Sequence, residues 1–185
     1  MSTTIYTIGH SSRNLAEFLK LLQVYGIELL CDVRIAPGSR KFPQYNMGTL
    51  SAALQQFGIR YSHYRDLGGF RKPVGNSPNT GWRNSSFRGY ADYMMTEEFR
   101  RALDHIMLRA GKCNTVIMCS EALYWRCHRL LIADALTVRG LVVRHILDEN
   151  NAPIHTLTDF AQVQDGDILV YVKRDDYPKL PGLDK

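Results

Sequence analysis

The 185-residue chain has no apolar run near the roughly 20 residues that cross a bilayer, so a helical membrane span is not expected. It has no P-loop, no GxGxxG and no GxSxG, and nothing supports tight nucleotide binding of the standard kinds. Cysteine is sparse: Cys31, Cys113, Cys119 and Cys127 are the four, with no CxxC pair and no HExxH beside them. The start, Met1 to Ile8, lacks the basic opening and apolar stretch of a secretion signal. A cytoplasmic location is therefore expected, where thiols stay reduced. Repeats, low-complexity tracts and linkers are also missing, so residues 1–185 read as a single α/β domain. What is present suits a globular protein: 45% hydrophobic and 22% charged residues argue against disorder. The net charge of +5 favours an anionic partner without requiring one.

Hydrophobic periodicity lays out strands and helices in alternation. A strand over 5–8 precedes a helix capped by Asn14, with Glu17 three residues on, and the helix ends at Gly26. A strand over 27–33 leads into a loop rich in Pro, Gly and Ser. Thr49 caps a helix to Phe57, then a strand runs over 59–64. Thr96 caps a longer helix bearing Phe99, Leu103, Ile106 and Met107. A strand over 115–118, a helix from about Trp125 to Val138 and a strand over 141–146 follow. The tail holds a turn at Asp165-Gly166 and a last strand over 168–173. Strands alternating with helices call for parallel βαβ units, and unbroken apolar strands fit a sheet covered on both faces. The expected fold is a three-layer, Rossmann-like α/β sandwich with a mostly parallel central sheet.

In such a sheet, ligands bind beyond the carboxyl ends of the strands. Those ends carry His10 and Ser11, then Asp32, Arg34, Ser39 and Arg40, then His63 to Arg65, then Cys119, Ser120 and Glu121. Cys127, His128 and Arg129 enter the next helix, with Trp125 just before them. A thiol between a strand end and a helix start is a recurring nucleophile position, because unpaired N–H groups and the helix dipole favour its thiolate. Cys119 is the candidate thiolate; Glu121, His128 and His10 are candidate acid, base or orienting groups. Arg34, Arg40 and Arg129 are candidate anion contacts. Each has a plainer reading: Cys127 shares an apolar stripe with Leu123, Leu130, Leu131 and Ala135, Asp32 and Arg34 can pair with each other, and His10 can serve loop carbonyls. His105, His145 and His155 read as structural.

Two neighbouring chemistries fit less well. Six residues separate Cys119 from Arg126 and nine separate it from Arg129, against the five of Cys-x5-Arg anion loops. Cys119, Glu121, Cys127 and His128 are all candidate metal ligands, but adjacent residues on a helix point about 100° apart, which sets Cys127 against His128.

Between Gly68 and Gly89 the chain shows little regular pattern and no acidic residue. Arg71, Lys72, Arg83 and Arg88 alternate with Phe70, Trp82 and Phe87. A lid or anion-contacting loop is the first expectation, a loop pinned on the core by Trp82 the second, and single-stranded nucleic acid the third.

Four segments together resemble a known family: Tyr6-Thr7-Ile8-Gly9-His10-Ser11, Asp32-Val33-Arg34 with Pro37, Ser39 and Arg40, Gly58-Ile59 with Tyr61 and Leu67-Gly68-Gly69, and Cys119-x-Glu121-x5-Cys127-His128-Arg129. The pattern resembles the bacterial and archaeal family catalogued as domain of unknown function 488. The resemblance implies a Rossmann-like fold and a polar pocket, and it names no reaction or cofactor. The expectation is thus a small enzyme binding a phosphate- or nucleotide-like anion in a Cys/Glu/His/Arg pocket. A nucleic-acid-binding or regulatory module is the second expectation, and a metal-binding protein the third.

Overall fold

A computed structural model describes residues 2–173 of the protein. Five short strands form one sheet: β1 (Thr4–Gly9), β2 (Leu29–Asp32), β3 (Arg60–His63), β4 (Thr115–Cys119) and β5 (Val142–Ile146). Their spatial order is β3-β2-β4-β1-β5, and every neighbouring pair is parallel. Five helices flank it: α1 (Leu15–Val24), α2 (Met47–Gln56), α3 (Ser85–Met94), α4 (Glu97–Ala110) and α5 (Arg129–Val138). Outside the sheet, β6 (Ala161–Gln164) and β7 (Ile168–Tyr171) make an antiparallel hairpin. Its turn at Asp165 and Gly166 has positive φ at both residues.

Alternation along each strand builds two cores. Ile5, Leu29, Cys31 and Ile117 face the side covered by α3, α4 and α5, where Tyr90, Phe99, Leu103, Ile106, Leu131 and Leu136 pack. Ile8, Leu30, Val116 and Met118 face the other side, against Phe18 and Leu22 of α1 and Leu50 and Leu54 of α2. This is a three-layer α/β sandwich of Rossmann type.

Local signals explain most boundaries. The Asn14 side chain accepts from Glu17 N–H at 2.8 Å and Thr96 Oγ1 from Phe99 N–H at 3.3 Å, so both caps form where the sequence places them. Gly26 closes α1 at φ 60°. Other boundaries differ. Helix α2 starts at Met47 rather than at Thr49, behind Asn46, whose side chain serves the Ser39 N–H at 2.6 Å instead of the helix. Helix α3 emerges inside the segment expected to be irregular, because Asn84 caps it by accepting from Ser86 and Phe87 N–H. Helix α5 starts at Arg129, not at Trp125: Tyr124–Arg126 form one 3-10 turn and Cys127 is extended at φ −137°, ψ 150°.

The connections place the site. From β1 the chain runs through α1, on one face, to β2. From β4 it runs through α5, on the other face, to β5. The loops after the adjacent strands β1 and β4 therefore leave in opposite directions and open a crevice at their carboxyl ends.

Candidate active site

Strand β1 ends at Gly9 because the neighbouring loop passes directly over it: a Cβ there would overlap the Glu121 carbonyl. Just beyond, His10 N–H donates to the Cys119 carbonyl at 3.0 Å and Ser11 N–H to that of Ser120 at 2.8 Å, so the two diverging loops are stitched together before they separate. Ser11 holds a left-handed φ of 48° at this bend. The His10 ring stacks on Tyr45 at 4.1 Å and its Nδ1 donates to the Ser11 carbonyl at 2.9 Å. Burial pushes His10 down to about 4; the bond to Ser11 works against this and the charge of Arg34 works with it. The ring is neutral at ordinary pH, and its Nε2 lone pair faces Arg34 Nη1 at 3.3 Å.

Asp32 and Arg34 form a fork-to-fork pair, Nε to Oδ1 at 2.9 Å and Nη2 to Oδ2 at 2.6 Å. The Tyr61 hydroxyl donates to Asp32 Oδ2 at 2.7 Å, and Arg34 also reaches the Tyr45 carbonyl. Burial alone would lower Arg34, but its contact with Asp32 prevails and raises it. Most of the Arg34 guanidinium is therefore committed to its own loop.

Opposite this pair stand the two thiols and His128. Cys119 ends β4, and Cys127 and His128 immediately precede α5. The His128 Nδ1 lies 3.6 Å from Cys127 Sγ and 4.0 Å from Cys119 Sγ. The three ligand atoms all lie within 4.8 Å of one another. His128 Nε2 meets the Val33 carbonyl at 3.3 Å and its ring leans on Tyr90, while Gly69 leaves room for it. The Cys127 sulfur and burial push the Cys119 thiol up to about 12. Burial would also raise Cys127, yet the Cys119 thiol, the Arg129 charge and the Arg129 backbone N–H hold it down to about 6. The pair is thus polarised, with Cys127 lowered and Cys119 raised, and both sulfurs face the same crevice.

Arg129 is 1% exposed, donates to the Glu121 carbonyl and leaves Nε without a partner. It has no carboxylate partner among the described residues, and its charge is one of the influences that lower the Cys127 thiol. A second buried polar cluster lies behind α5. Thr7 Oγ1 meets His145 Nδ1 at 2.7 Å, His145 Nε2 meets His155 Nδ1 at 3.0 Å, and His155 Nε2 meets Asp134 Oδ1 at 2.8 Å. Tyr171 and Thr158 hydroxyls donate to the other Asp134 oxygen. Burial, with the charges of His155 and Arg129, lowers His145 to about 3.

A cavity of about 850 Å³ opens over the crevice. Of the residues singled out from sequence, His10, Ser11, Arg34, Ser39, Cys119, Glu121, Cys127 and His128 line it. Asp32 and Arg129 stand behind the wall. Arg40 is exposed away from it, and Trp125, 47% exposed, packs edge-on to Tyr124. Elsewhere on the wall, Arg126 supplies charge and Phe70 and Phe87, from the long segment expected to form a lid or contact an anion, supply rings; Lys41, Phe42 and Tyr90 were not anticipated. The signal was faint. Lys41 only extended a short basic run, and Phe70 lay in a segment with no helix or strand pattern to aim it. Trp82 is packed among Phe87, Phe160 and Tyr171, so its ring is taken up by the fold.

The sequence matches the family described as Domain of unknown function DUF488 over residues 14–136, from α1 into α5. No curated protein and no solved structure matches the chain. Among the described residues, no helix is long and apolar enough to cross a membrane.

Proposed function

The chain belongs to the DUF488 family, and from the chemistry of its own residues we propose that it is a small enzyme acting on an anionic substrate with a planar ring, of nucleotide or nucleobase type. One observation carries this reading: a single cavity joins a Cys119–Cys127–His128 floor to an aromatic wall and to the cations Lys41 and Arg126. Rings of Phe42, Phe70 and Phe87 offer faces for a base, and Phe70 is 94% exposed at the mouth. The two side-chain cations receive the charged end. Glu121 lines the wall, and among the described residues its carboxylate makes no hydrogen bond or ion pair. His10 and Arg34 position rather than react, since each is engaged by its neighbours. A cytoplasmic location accords with a site that needs two unpaired thiols.

Nucleoside monophosphates and inorganic phosphate are the probes, and calorimetry on the full chain is the measurement. The monophosphate binds, and phosphate alone binds more weakly. Lys41→Ala and Arg126→Ala each lower affinity roughly tenfold, as expected for loss of a charge-assisted contact. If no nucleotide binds, or if the double variant binds as well as the parent chain, the reading fails. A single-stranded nucleic-acid partner is less favoured, because Trp82, the largest ring of the basic segment, is packed internally.

A further inference from the structure

We propose that Cys119, Cys127 and His128 form a three-ligand site for one zinc ion, with its fourth corner open to the cavity. The proposal deepens the reading above and rests on the same cavity, but not on the anion.

The geometry is that of a tetrahedral face. Zinc bonds of about 2.3 Å to sulfur and about 2.0–2.1 Å to nitrogen put neighbouring ligand atoms roughly 3.5–3.8 Å apart. Here the sulfur-to-nitrogen separations are 3.6 and 4.0 Å, and the sulfur pair also falls within 4.8 Å. A shift of a few tenths of an ångström closes the sulfur-to-nitrogen distances, and one of at most about 1 Å closes the sulfur pair onto a shared cation. The helix argument against Cys127 and His128 acting together does not apply, because Cys127 is extended and α5 starts only at Arg129.

The surroundings point the same way. His128 turns Nε2 to the Val33 carbonyl, which places the proton there and leaves Nδ1 as a lone pair facing the sulfurs. Two thiolates and an imidazole select a borderline-soft ion over magnesium or calcium. Arg129, buried with no carboxylate partner among the described residues, lies two positions from Cys127 and brings a positive charge to the thiol pair. All three ligands line the cavity, so a water or a substrate oxygen completes the tetrahedron there. Three protein ligands with an open position is the arrangement of catalytic rather than structural zinc. A thiol must be deprotonated to ligate, so metal affinity rises with pH.

The test uses the full chain, stripped by chelator under reductant and titrated with zinc, with bound metal counted by mass spectrometry after dialysis. One equivalent stays bound, Cys119→Ser and Cys127→Ser each weaken retention at least tenfold, and Cys113→Ser changes nothing. Because a serine variant can lose its fold, cobalt is titrated into the unaltered chain as well. A thiolate-to-cobalt charge-transfer band with tetrahedral ligand-field intensity supports the site. Less than a tenth of an equivalent of zinc, equal loss in Cys113→Ser, or a cobalt spectrum without the thiolate band overturns it. Nucleoside monophosphate binding is measured on stripped and loaded chain in parallel. Anion binding without zinc overturns the metal site alone, and zinc without anion binding overturns the substrate reading alone.

Discussion

A methyl group at position 9 would be driven into the Glu121 carbonyl and against the Arg129 guanidinium. The backbone of the 119–128 loop cannot retreat, since Cys119 and Ser120 carbonyls are held by His10 and Ser11. Gly9→Ala should therefore cost about 1–3 kcal/mol, lowering the melting temperature by roughly 2–4 °C per kcal/mol. Gly48→Ala in α2 meets nothing within 4 Å and should leave stability unchanged or raise it. Thermal unfolding compares them, and equal melting temperatures would contradict the close-approach account. At this scale the sequence was informative about type and poor about direction. A strand-end rule brought His10, Ser11, Cys119, Cys127 and His128 to one rim. It left open whether Arg34 would turn to Asp32, two residues back, and gave no sign that Arg129 would point inward under Glu121. Those choices depend on side-chain torsions and on what lies across the crevice.

Helix α5 is the element on which both polar clusters depend. Arg129 at its start faces Cys127, and Asp134 one turn later anchors His155 and, through it, His145. Because His145 sits at about 3 in the fold but titrates near 6.5 when unfolded, the unfolded chain binds more protons between those values. Its contribution to stability is complete above pH 6.5 and is lost progressively as pH falls toward 3. Between pH 7 and pH 5 this group alone should remove about 2 kcal/mol. Urea unfolding at the two pH values reads it, and His145→Gln should lose much of that pH slope whatever its absolute stability. An unchanged slope would move the effect to another group. The start of α5 was hidden for a physical reason: His128 caps it without any side-chain bond, so the usual Ser, Thr, Asn or Asp marker is missing. Extending the helix back to Trp125 made joint coordination by Cys127 and His128 look awkward. Helix α3 was missed in the other direction, its start marked only by Asn84 within a stretch dominated by Gly, Pro and Arg.

Across the whole molecule, the strand order and the opposite exits from β1 and β4 decide where chemistry can happen, and the alternation of apolar strands and helices made that much readable. The family match runs from the start of α1 into the last turn of α5, and so includes both thiols, His128 and the cavity wall apart from His10, Ser11 and Ser12. The hairpin lies outside it and serves the long segment instead: Gly81 N–H donates to the Tyr171 carbonyl at 2.8 Å, and Asn79 receives the Tyr171 N–H at 2.9 Å. Such contacts join residues about 90 apart in sequence, beyond the reach of periodicity.

The Asp32–Arg34 pair has a kinetic consequence. With that guanidinium neutralised in the interior, Lys41 and Arg126 are positive side chains on the cavity wall with no acidic partner among the described residues, and both stand in solvent. Attraction at such exposed groups fades over a Debye length of about 10 Å at 0.1 M ionic strength, whereas ring stacking deeper down is indifferent to salt. Raising ionic strength tenfold from 50 mM should slow nucleotide association several-fold while the dissociation rate barely moves, as stopped-flow fluorescence would report. Dissociation that accelerates with salt would place the discriminating charge deep inside after all. Capture would then be governed by the medium, and residence by the shape of the aromatic walls.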